Sequence, residues 1–359
     1  AELRNIDNTG LAIGYSGPYA TTYRFDSGMF SYLDIPEDAN GVIGEALTND
    51  GSLLVGSVSS SRSKAAYCKD GEWMRLPMPP EEEVLKLLKT MPETSSAKLV
   101  SGDGKVIFGY IGSFQIPCIW MLNDKGEYVP DLFPVRFLKL NEEDLNDDEK
   151  PLIGVSAFYL GLSNNGRYAC LLGITPHGET GEMNVPIVYD TETKSLHSYL
   201  EYQDIDPIST GLYPIAISDD GTFIGTVGMP YFGSIGSFIM KSGETQAELF
   251  TDAFPEFNER YGESDQHGFN MCSGISADGR YISGYTYYSD DYNNTETPAY
   301  YESYVLDRGV GTVGVSGPAV DHDGSETIYS IDGRSLRSMA KGINIVRNAD
   351  GSVSKVIKK

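Results

Sequence analysis

The chain has 359 residues, of which 40% are hydrophobic, and a formal charge of -24 at pH 7. A net charge of this sign argues against nucleic acid as a partner, because a polyanion would be repelled. The 40 glycines and 24 tyrosines, spread among short apolar segments, predict an all-β fold with many turns. No apolar run reaches the roughly 18 residues that a membrane-spanning helix needs.

Six segments share one pattern, which is an apolar strand, a tight turn that ends in glycine, and a second apolar strand. The fullest copy is 275–284, with Asp278 and Gly279 at its turn. Asp or Asn followed by Gly suits a two-residue hairpin turn in which both central residues take positive φ. Spacings of 41, 53, 62, 55 and 58 residues separate the turn glycines, which are Gly10, Gly51, Gly104, Gly166, Gly221 and Gly279. Periods of this size are typical of propellers and repeat arrays.

After every hairpin come a third apolar strand, a short turn and a fourth strand, as in 65–68, 69–71 and 72–76. Four antiparallel strands in each of six units predict a six-bladed β-propeller in which each blade covers the apolar face of the next. The first and fourth copies depart from the pattern at Asn8 and Asn165, so five or seven blades are alternatives.

The repeated Ile-Ser-x-Asp-Gly-x-x-x-x-Gly, followed by an apolar strand that ends in an aromatic residue or Met, resembles the extracellular HAF-type repeat propellers. It is more distantly similar to the Asp-Gly repeats of TolB-like propellers. The resemblance covers residues 3–314. It implies a propeller fold and leaves the activity open.

The segments 327–334, 341–347 and 354–358 resemble the C-terminal sorting segment of secreted Bacteroidetes proteins. From Gly333 onward, seven Lys or Arg residues stand against one Asp, whereas the rest of the chain is acidic. This shift predicts a β-propeller at 1–316 and a separate tail of short strands at 317–359. The resemblance implies export, association with the outer membrane or cell surface, and an extracellular, cell-surface or periplasmic location.

Cysteine and histidine spacing predicts neither disulfides nor a metal site. The cysteines, Cys68, Cys118, Cys170 and Cys272, lie in different repeats without a CxxC pair, which favours buried apolar side chains. The four histidines are scattered, and the acidic run 141–149 lacks the spaced oxygen ligands of a calcium loop. The motifs GxSxG, HExxH and GxxxxGK(S/T) do not occur, and the GxGxxG at 309–314 leads into a segment that cannot open a helix, so we interpret it as a turn. We therefore expect no metal, no cofactor and no identifiable catalytic residue.

Long inserts are expected on one face of the propeller, which we call the loop face. In a four-stranded blade this face carries the links from strand 2 to strand 3 and from strand 4 to the next blade. The opposite face carries the short turns from strand 1 to strand 2 and from strand 3 to strand 4, and we call it the turn face. We expect the ligand site on the loop face, because a rigid scaffold positions such loops. One insert, 80–89, predicts a helix that caps the blade edges, with partner binding as an alternative. The inserts are 77–97, 130–156, 174–185, 229–236, 250–272 and 286–299.

The candidate ligand-binding residues are aromatic, acidic and histidine side chains in these inserts. Exposed tyrosine rings stack on sugars or peptide side chains, and nearby carboxylates orient hydrogen bonds. Packing of the inserts onto one another is the structural alternative for each aromatic residue. The predicted site consists of Tyr287, Tyr288, Asp290, Asp291, Tyr292, Tyr231, Phe232, His177 and His267.

These features predict a secreted or cell-surface propeller, monomeric, that binds a glycan or a protein through its loop face without catalysis. One alternative is a glycosidase or lyase that acts on polysaccharide, since propeller carboxylates can converge from distant blades. The acidic residues and the histidine of segment 256–267 are the candidates for that chemistry. A second alternative is a periplasmic scaffold protein.

Overall fold

The computed structural model divides into two compact units, Ala1–Val313 and Gly314–Lys359. In the larger unit it describes residues 2–87, 90–112, 116–133, 154–177, 181–198, 212–229, 233–244, 246–257, 269–289 and 299–309. In the smaller unit it describes 327–330, 335–336, 339, 342–347 and 353–358. At several strand ends only the backbone is described.

The larger unit is a six-bladed β-propeller of antiparallel sheets, as the repeats predict, and each sheet contains consecutive strands in chain order. The first sheet contains β1 (Glu2–Ile6), β2 (Leu11–Ser16), β3 (Tyr19–Arg24) and β4 (Met29–Tyr32). The second contains β5 (Gly41–Leu47), β6 (Leu53–Ser59), β7 (Ser63–Lys69) and β8 (Glu72–Arg75), followed by helix α1 (Glu81–Leu87). The third contains β9 (Ser95–Val100), β10 (Val106–Ile111), β11 (Ile116–Leu122) and β12 (Tyr128–Leu132).

The remaining three sheets follow the same order. The fourth contains β13 (Gly154–Leu162), β14 (Tyr168–His177), β15 (Gly181–Asp190) and β16 (Ser195–Ser198). The fifth contains β17 (Leu212–Ile217), β18 (Phe223–Met229), β19 (Gly233–Met240) and β20 (Glu248–Leu249), followed by helix α2 (Phe250–Ala253). In the described part of the sixth sheet the strands are β21 (Phe269–Ile275), β22 (Tyr281–Ser289) and β23 (Ala299–Asp307), and its predicted fourth strand lies outside the described residues.

The smaller unit contains the short strands predicted for the tail, as a sheet with the order β25-β24-β26-β27. Its strands are β24 (Thr327–Ser330), β25 (Ser335–Leu336), β26 (Gly342–Arg347) and β27 (Val353–Lys358). The two-residue β25 was not anticipated, because so short a strand has no sequence periodicity. In the described parts of both units, no helix is long and apolar enough to cross a membrane.

A separate apolar core lies between each pair of successive sheets from the first to the sixth. Between the second and third sheets, the fully buried Trp120 donates a hydrogen bond from Nε1 to the carbonyl oxygen of Pro77, at 2.7 Å. Val84 of α1 is buried in the same core. The predicted helix therefore packs on the propeller, and Trp120 holds the segment that leads into it.

All four cysteines are buried and free of disulfides, as predicted. Burial raises the pKa of Cys170 and of Cys272 to about 12, so both remain thiols at neutral pH. Cys170 and Cys272 pack in the cores of the fourth to sixth sheets. The cysteines therefore act as small apolar side chains.

The first sheet differs from the other sheets because many of its large hydrophobic side chains are exposed. Among the described residues it holds seven of the thirteen large hydrophobic side chains that are exposed. Tyr32 is 59% exposed and contacts the rings of Tyr19 and Phe30 edge-on. By register, Phe30 and Tyr32 share a face of β4 with β3 residues Tyr23 and Thr21, whereas Ala20 packs on the second sheet. The face of the first sheet that points away from the second is therefore an open aromatic surface.

The first strands of neighbouring sheets contact one another in the series β1, β5, β9, β13, β17 and β21. In a ring of sheets, the strands that meet their counterparts on both sides are those nearest the axis. Four of them, β5, β9, β13 and β17, have a counterpart on both sides, and β1 and β21 end the series. The first strands therefore form the inner layer of the propeller, next to its channel. Each runs from the loop face at its start to the turn face at its end.

The repeated turn differs from the predicted two-residue form. Only its glycine has positive φ, for example +68° at Gly51 and +70° at Gly279, and the preceding Asp or Asn does not. The turn spans four residues, and the glycine N–H donates to the carbonyl of the Ser or Thr three residues earlier. The Asp carboxylate accepts from that hydroxyl and from a backbone N–H two residues on, as Asp278 does from Ser276 and Arg280. The Asp is needed as an acceptor rather than for its backbone conformation.

The turns are also linked from blade to blade. At four of the five boundaries, the second residue of the turn donates from its backbone N–H to the carbonyl of the equivalent residue of the next sheet. Between the fourth and fifth sheets, Asn165 at the Asp position donates instead to the Asp219 carboxylate. This chain of bonds, which we call the turn chain, runs through Asn8, Asn49, Gly102, Asn164, Asn165, Asp219 and Ala277, with donor–acceptor distances from 2.7 to 3.2 Å. The repeat therefore builds the contacts between blades as well as the hairpins within them.

We expect acid to weaken the propeller through these turns. Hydrogen bonds from Ser52 and Thr48 lower the pKa of Asp50 from 3.8 to about 2, and donors in its own turn lower that of Asp278. Because both pKa values lie below their unfolded values, the stabilisation from Asp50 is complete above about pH 4 and is lost as the pH falls through about 2, and that from Asp278 is lost in the same direction. Calorimetry should show Tm falling across this range. Asp50→Asn should show a smaller fall, and an equal fall would contradict the assignment.

Candidate functional site

The hairpins between second and third strands differ between the two halves of the propeller. In the first three sheets these strands have 6 or 7 residues. In the fourth sheet β14 and β15 have 10 residues each, and in the sixth β22 and β23 have 9. The longer hairpins extend on the loop face, and in the fifth sheet between them β18 and β19 have 7 and 8 residues. We call β14–β15, β18–β19 and β22–β23 the hairpin wall.

The hairpin wall carries part of the predicted site. His177 ends β14 and pairs with Gly181, whereas Tyr287 and Tyr288 stand near the end of β22. Register pairs these two tyrosines with Tyr301 and Tyr300. The backbone thus brings His177 and four tyrosine positions to one edge of the propeller, and their contact with a ligand stays a prediction. The other predicted site residues lie outside the described residues: Asp290, Asp291, Tyr292, Tyr231, Phe232 and His267.

A β-bulge interrupts the first strand of every sheet, a feature that the sequence did not reveal. In the fourth sheet the irregular segment is 157–159. A bulge adds residues to one strand only and changes the direction of its side chains. In the other five sheets the bulge is a single extra residue, namely Arg4, Glu45, Lys98, Ile215 and Ser273. Because the first strands line the channel, these residues are candidates for contact with a ligand there.

The bulges explain why the last position of the repeat is glycine. A Cβ atom at Gly56 would overlap the carbonyl oxygen of Ile43, and one at Gly109 would overlap that of Ser96. In the fourth sheet Leu171 stands in this position, and there the bulge is longer. The glycines beside the single-residue bulges are Gly14, Gly56, Gly109, Gly225 and Gly284. The last glycine of the repeat therefore indicates a close approach of the first and second strands.

The bulge side chains of the first three sheets, Arg4, Glu45 and Lys98, form a line of charges across two blade boundaries. We call these three residues, together with Glu2, the charge row. Lys98 Nζ donates to Glu45 Oε1 at 2.5 Å, and Arg4 Nε is 3.9 Å from Glu45 Oε2. Arg4 also pairs with Glu2 at 3.1 Å. The Glu45 side chain is 12% exposed, against 31% for Lys98 and 42% for Arg4. The two cations are thus accessible, and the carboxylate that joins them is largely buried.

Two tyrosines flank the charge row. The Arg4 guanidinium lies 5.3 Å from the Tyr15 ring centre, and Lys98 Nζ lies 5.7 Å from that of Tyr110. Tyr15 donates from its hydroxyl to Glu2 at 2.6 Å. Burial lowers the pKa of Arg4, but its hydrogen bond to Tyr15 and the charges of Glu45 and Glu2 outweigh this effect, so the net shift is upward. Arg4 therefore keeps its charge in the row.

Seven described carboxyl groups have a pKa that is shifted below its usual value, and hydrogen bonds lower it in each case. Asp307 is an example, because Arg280 donates two hydrogen bonds to its oxygens, at 2.8 and 2.9 Å. These carboxylates act as hydrogen-bond acceptors of the fold.

A cavity of about 290 Å³ lies elsewhere, between the fifth and sixth sheets beside α2. Ile239 and Leu306 line it, at the third-strand ends that lead to the turn face. Two of its charged groups, Lys241 and Asp307, are paired with Glu248 and Arg280. The cavity therefore lies at the turn-face ends of β19 and β23, whereas the hairpin wall extends at their loop-face ends.

No family model and no curated protein matches the sequence. Solved structures with a similar fold include a putative TolB from Agrobacterium tumefaciens, with 11% identity, a TM-score of 0.42, and coverage of 69% of this chain and 78% of that one. The propeller domain of the Trilobed protease from Pyrococcus furiosus is 10% identical, with a TM-score of 0.46 and coverage of 99% and 96%. Dipeptidyl peptidase 4 from Porphyromonas gingivalis is 11% identical, with a TM-score of 0.48 and coverage of 98% and 52%. At these identities the likeness is one of fold alone.

Proposed function

We propose that this protein is a non-catalytic binding protein whose ligand, a glycan or a protein segment, lies on the loop face against the hairpin wall. The observation that carries the proposal is the greater length of the described hairpins in the fourth and sixth sheets than in the first three. Hairpins that extend beside the channel would form a shelf that an extended ligand can follow. The tyrosine positions of β22 and β23 supply rings for stacking.

The proposed location is outside the cytoplasm, at the cell surface or in the periplasm. Its support is the resemblance of 327–358 to a sorting segment, together with the basic character of that tail. The protein is proposed to act as a monomer. Sedimentation of the purified chain would measure this directly.

The double variant Tyr287→Ala/Tyr288→Ala should bind its ligand about tenfold more weakly, because two stacking rings are removed. The ligand is first found on a glycan array and, in parallel, in a peptide display library. Tyr32→Ala is the matched control, since Tyr32 is an exposed tyrosine of the first sheet and lies outside the hairpin wall. Equal loss in both variants would contradict the proposed position of the site.

Mass spectrometry of the glycans after incubation tests the absence of catalysis. Under the proposed function, the bound sugars are recovered at their original length. Shortened or unsaturated products would refute it and favour a glycosidase or lyase.

A further inference from the structure

We propose that the charge row binds the hydroxyl groups of a neutral glycan that enters the central channel from the loop face. This inference rests on the proposed function and names the ligand class and an inner subsite for it. The subsite is formed by Arg4, Lys98, Tyr15 and Tyr110, with Glu2 at its outer end. Glu45 is a positioning residue, because it holds both cations while being largely buried.

Strand register gives the depth of the subsite. Tyr15 pairs with Glu2 and Tyr110 pairs with Ser96, and both pairs lie nearer the start of their first strand than the bulge does. First strands start at the loop face, so a ligand that enters there meets the tyrosine positions before the bulge cations. The hairpin wall belongs to the fourth to sixth sheets and the charge row to the first three. The two features therefore belong to opposite halves of the propeller.

The charge balance favours a neutral ligand. Arg4 and Lys98 are offset by Glu2 and Glu45, so the row has no net charge. The chain as a whole carries -24, which disfavours the approach of uronate or sulfate groups. A neutral sugar needs no compensating charge, and its hydroxyl groups can still form hydrogen bonds with the charged side chains of the row.

The donors and acceptors match vicinal hydroxyls. The Arg4 and Lys98 side chains are 42% and 31% exposed and donate to hydroxyl oxygens, and Glu2, 52% exposed, accepts from hydroxyl hydrogens. Bonds to charged partners are stronger than neutral ones. The rings of Tyr15 and Tyr110 add apolar surface for the C–H faces of a sugar.

An array that contains neutral, uronate and sulfated oligosaccharides tests the ligand class on the full chain. We expect binding to neutral members and none to the sulfated ones. Lys98→Met should weaken binding to the best neutral oligosaccharide about tenfold. Lys98→Arg, which keeps the ion pair with Glu45, should stay within about threefold of the wild type. Lys105→Met is the matched control, because Lys105 is ion-paired on the turn face.

A second measurement needs no variant. Acetylation of the wild-type chain by an amine-reactive ester should slow at Lys98, and not at Lys105, when that oligosaccharide is bound. One set of results would overturn the subsite and leave the proposed function standing. In that case Tyr287→Ala/Tyr288→Ala loses binding, Lys98→Met binds as the wild type does, and the bound oligosaccharide does not protect Lys98 from acetylation. Binding of only uronates, sulfated sugars or peptides would overturn the ligand class.

Discussion

Gly56→Ala should lower the free energy of unfolding by about 3 kcal/mol or more, as over-packing against a fixed backbone does. The new Cβ would overlap the carbonyl oxygen of Ile43, beside the Glu45 bulge. Neither group is at the end of a flexible side chain, so the first strand itself must move. Urea unfolding followed by circular dichroism measures the change.

Gly71→Ala is the matched control for this substitution. Gly71 has φ of +86° in the outer turn between β7 and β8, and a Cβ there meets nothing within 4 Å. Only the left-handed backbone opposes alanine, so the expected loss is about 1 kcal/mol. Similar losses in the two variants would contradict the close approach at Gly56, because Gly56 itself does not have positive φ.

Trp120→Ala should cost about 3–5 kcal/mol, the range for truncating a large buried aromatic side chain. Trp120 is fully buried between the second and third sheets, and its indole N–H satisfies the carbonyl of Pro77. Trp120→Phe keeps most of the apolar volume and removes the hydrogen bond, so its loss should be smaller. Calorimetry measures both variants.

A local readout separates anchoring from general stability in the Trp120 variants. Because Trp120 holds Pro77, both variants should increase proteolytic cleavage within the link 77–97 at temperatures well below Tm. Cleavage spread evenly over the chain would contradict an anchoring role. The link belongs to the loop face, so this test also connects core packing with the candidate site.

The sequence predicted the blades well because turn glycines and apolar strands are local features. The spacing of Gly10, Gly51 and the later glycines implied repeated four-stranded units, and the structure contains them. The turn type was wrong, because Asp-Gly was interpreted through backbone conformation alone. Asp278 keeps ordinary backbone angles and serves as an acceptor for Ser276 and Arg280.

The charge row was not predicted, although spacing gives its residues a common position. Arg4, Glu45 and Lys98 are far apart in the chain, yet each stands six residues before the turn glycine of its repeat. They meet because each occupies the bulge of a first strand, and bulges leave no residue signature of their own. One usable signal existed, since the last glycine of the repeat has no role in the turn. A glycine within a strand indicates a bulge or a close backbone approach.

The turn chain limits which repeats can be exchanged for one another. Gly102 stands between Asn49 and Asn164, and a Cβ there would overlap the side-chain amides of both. Gly102 is thus matched to its two neighbours, so the third repeat is fitted to its place in the ring. Exchanging it with a repeat that has a side chain at this position would preserve both blades and still disrupt the contacts between them. The place of the third repeat in the order is therefore part of what the sequence encodes.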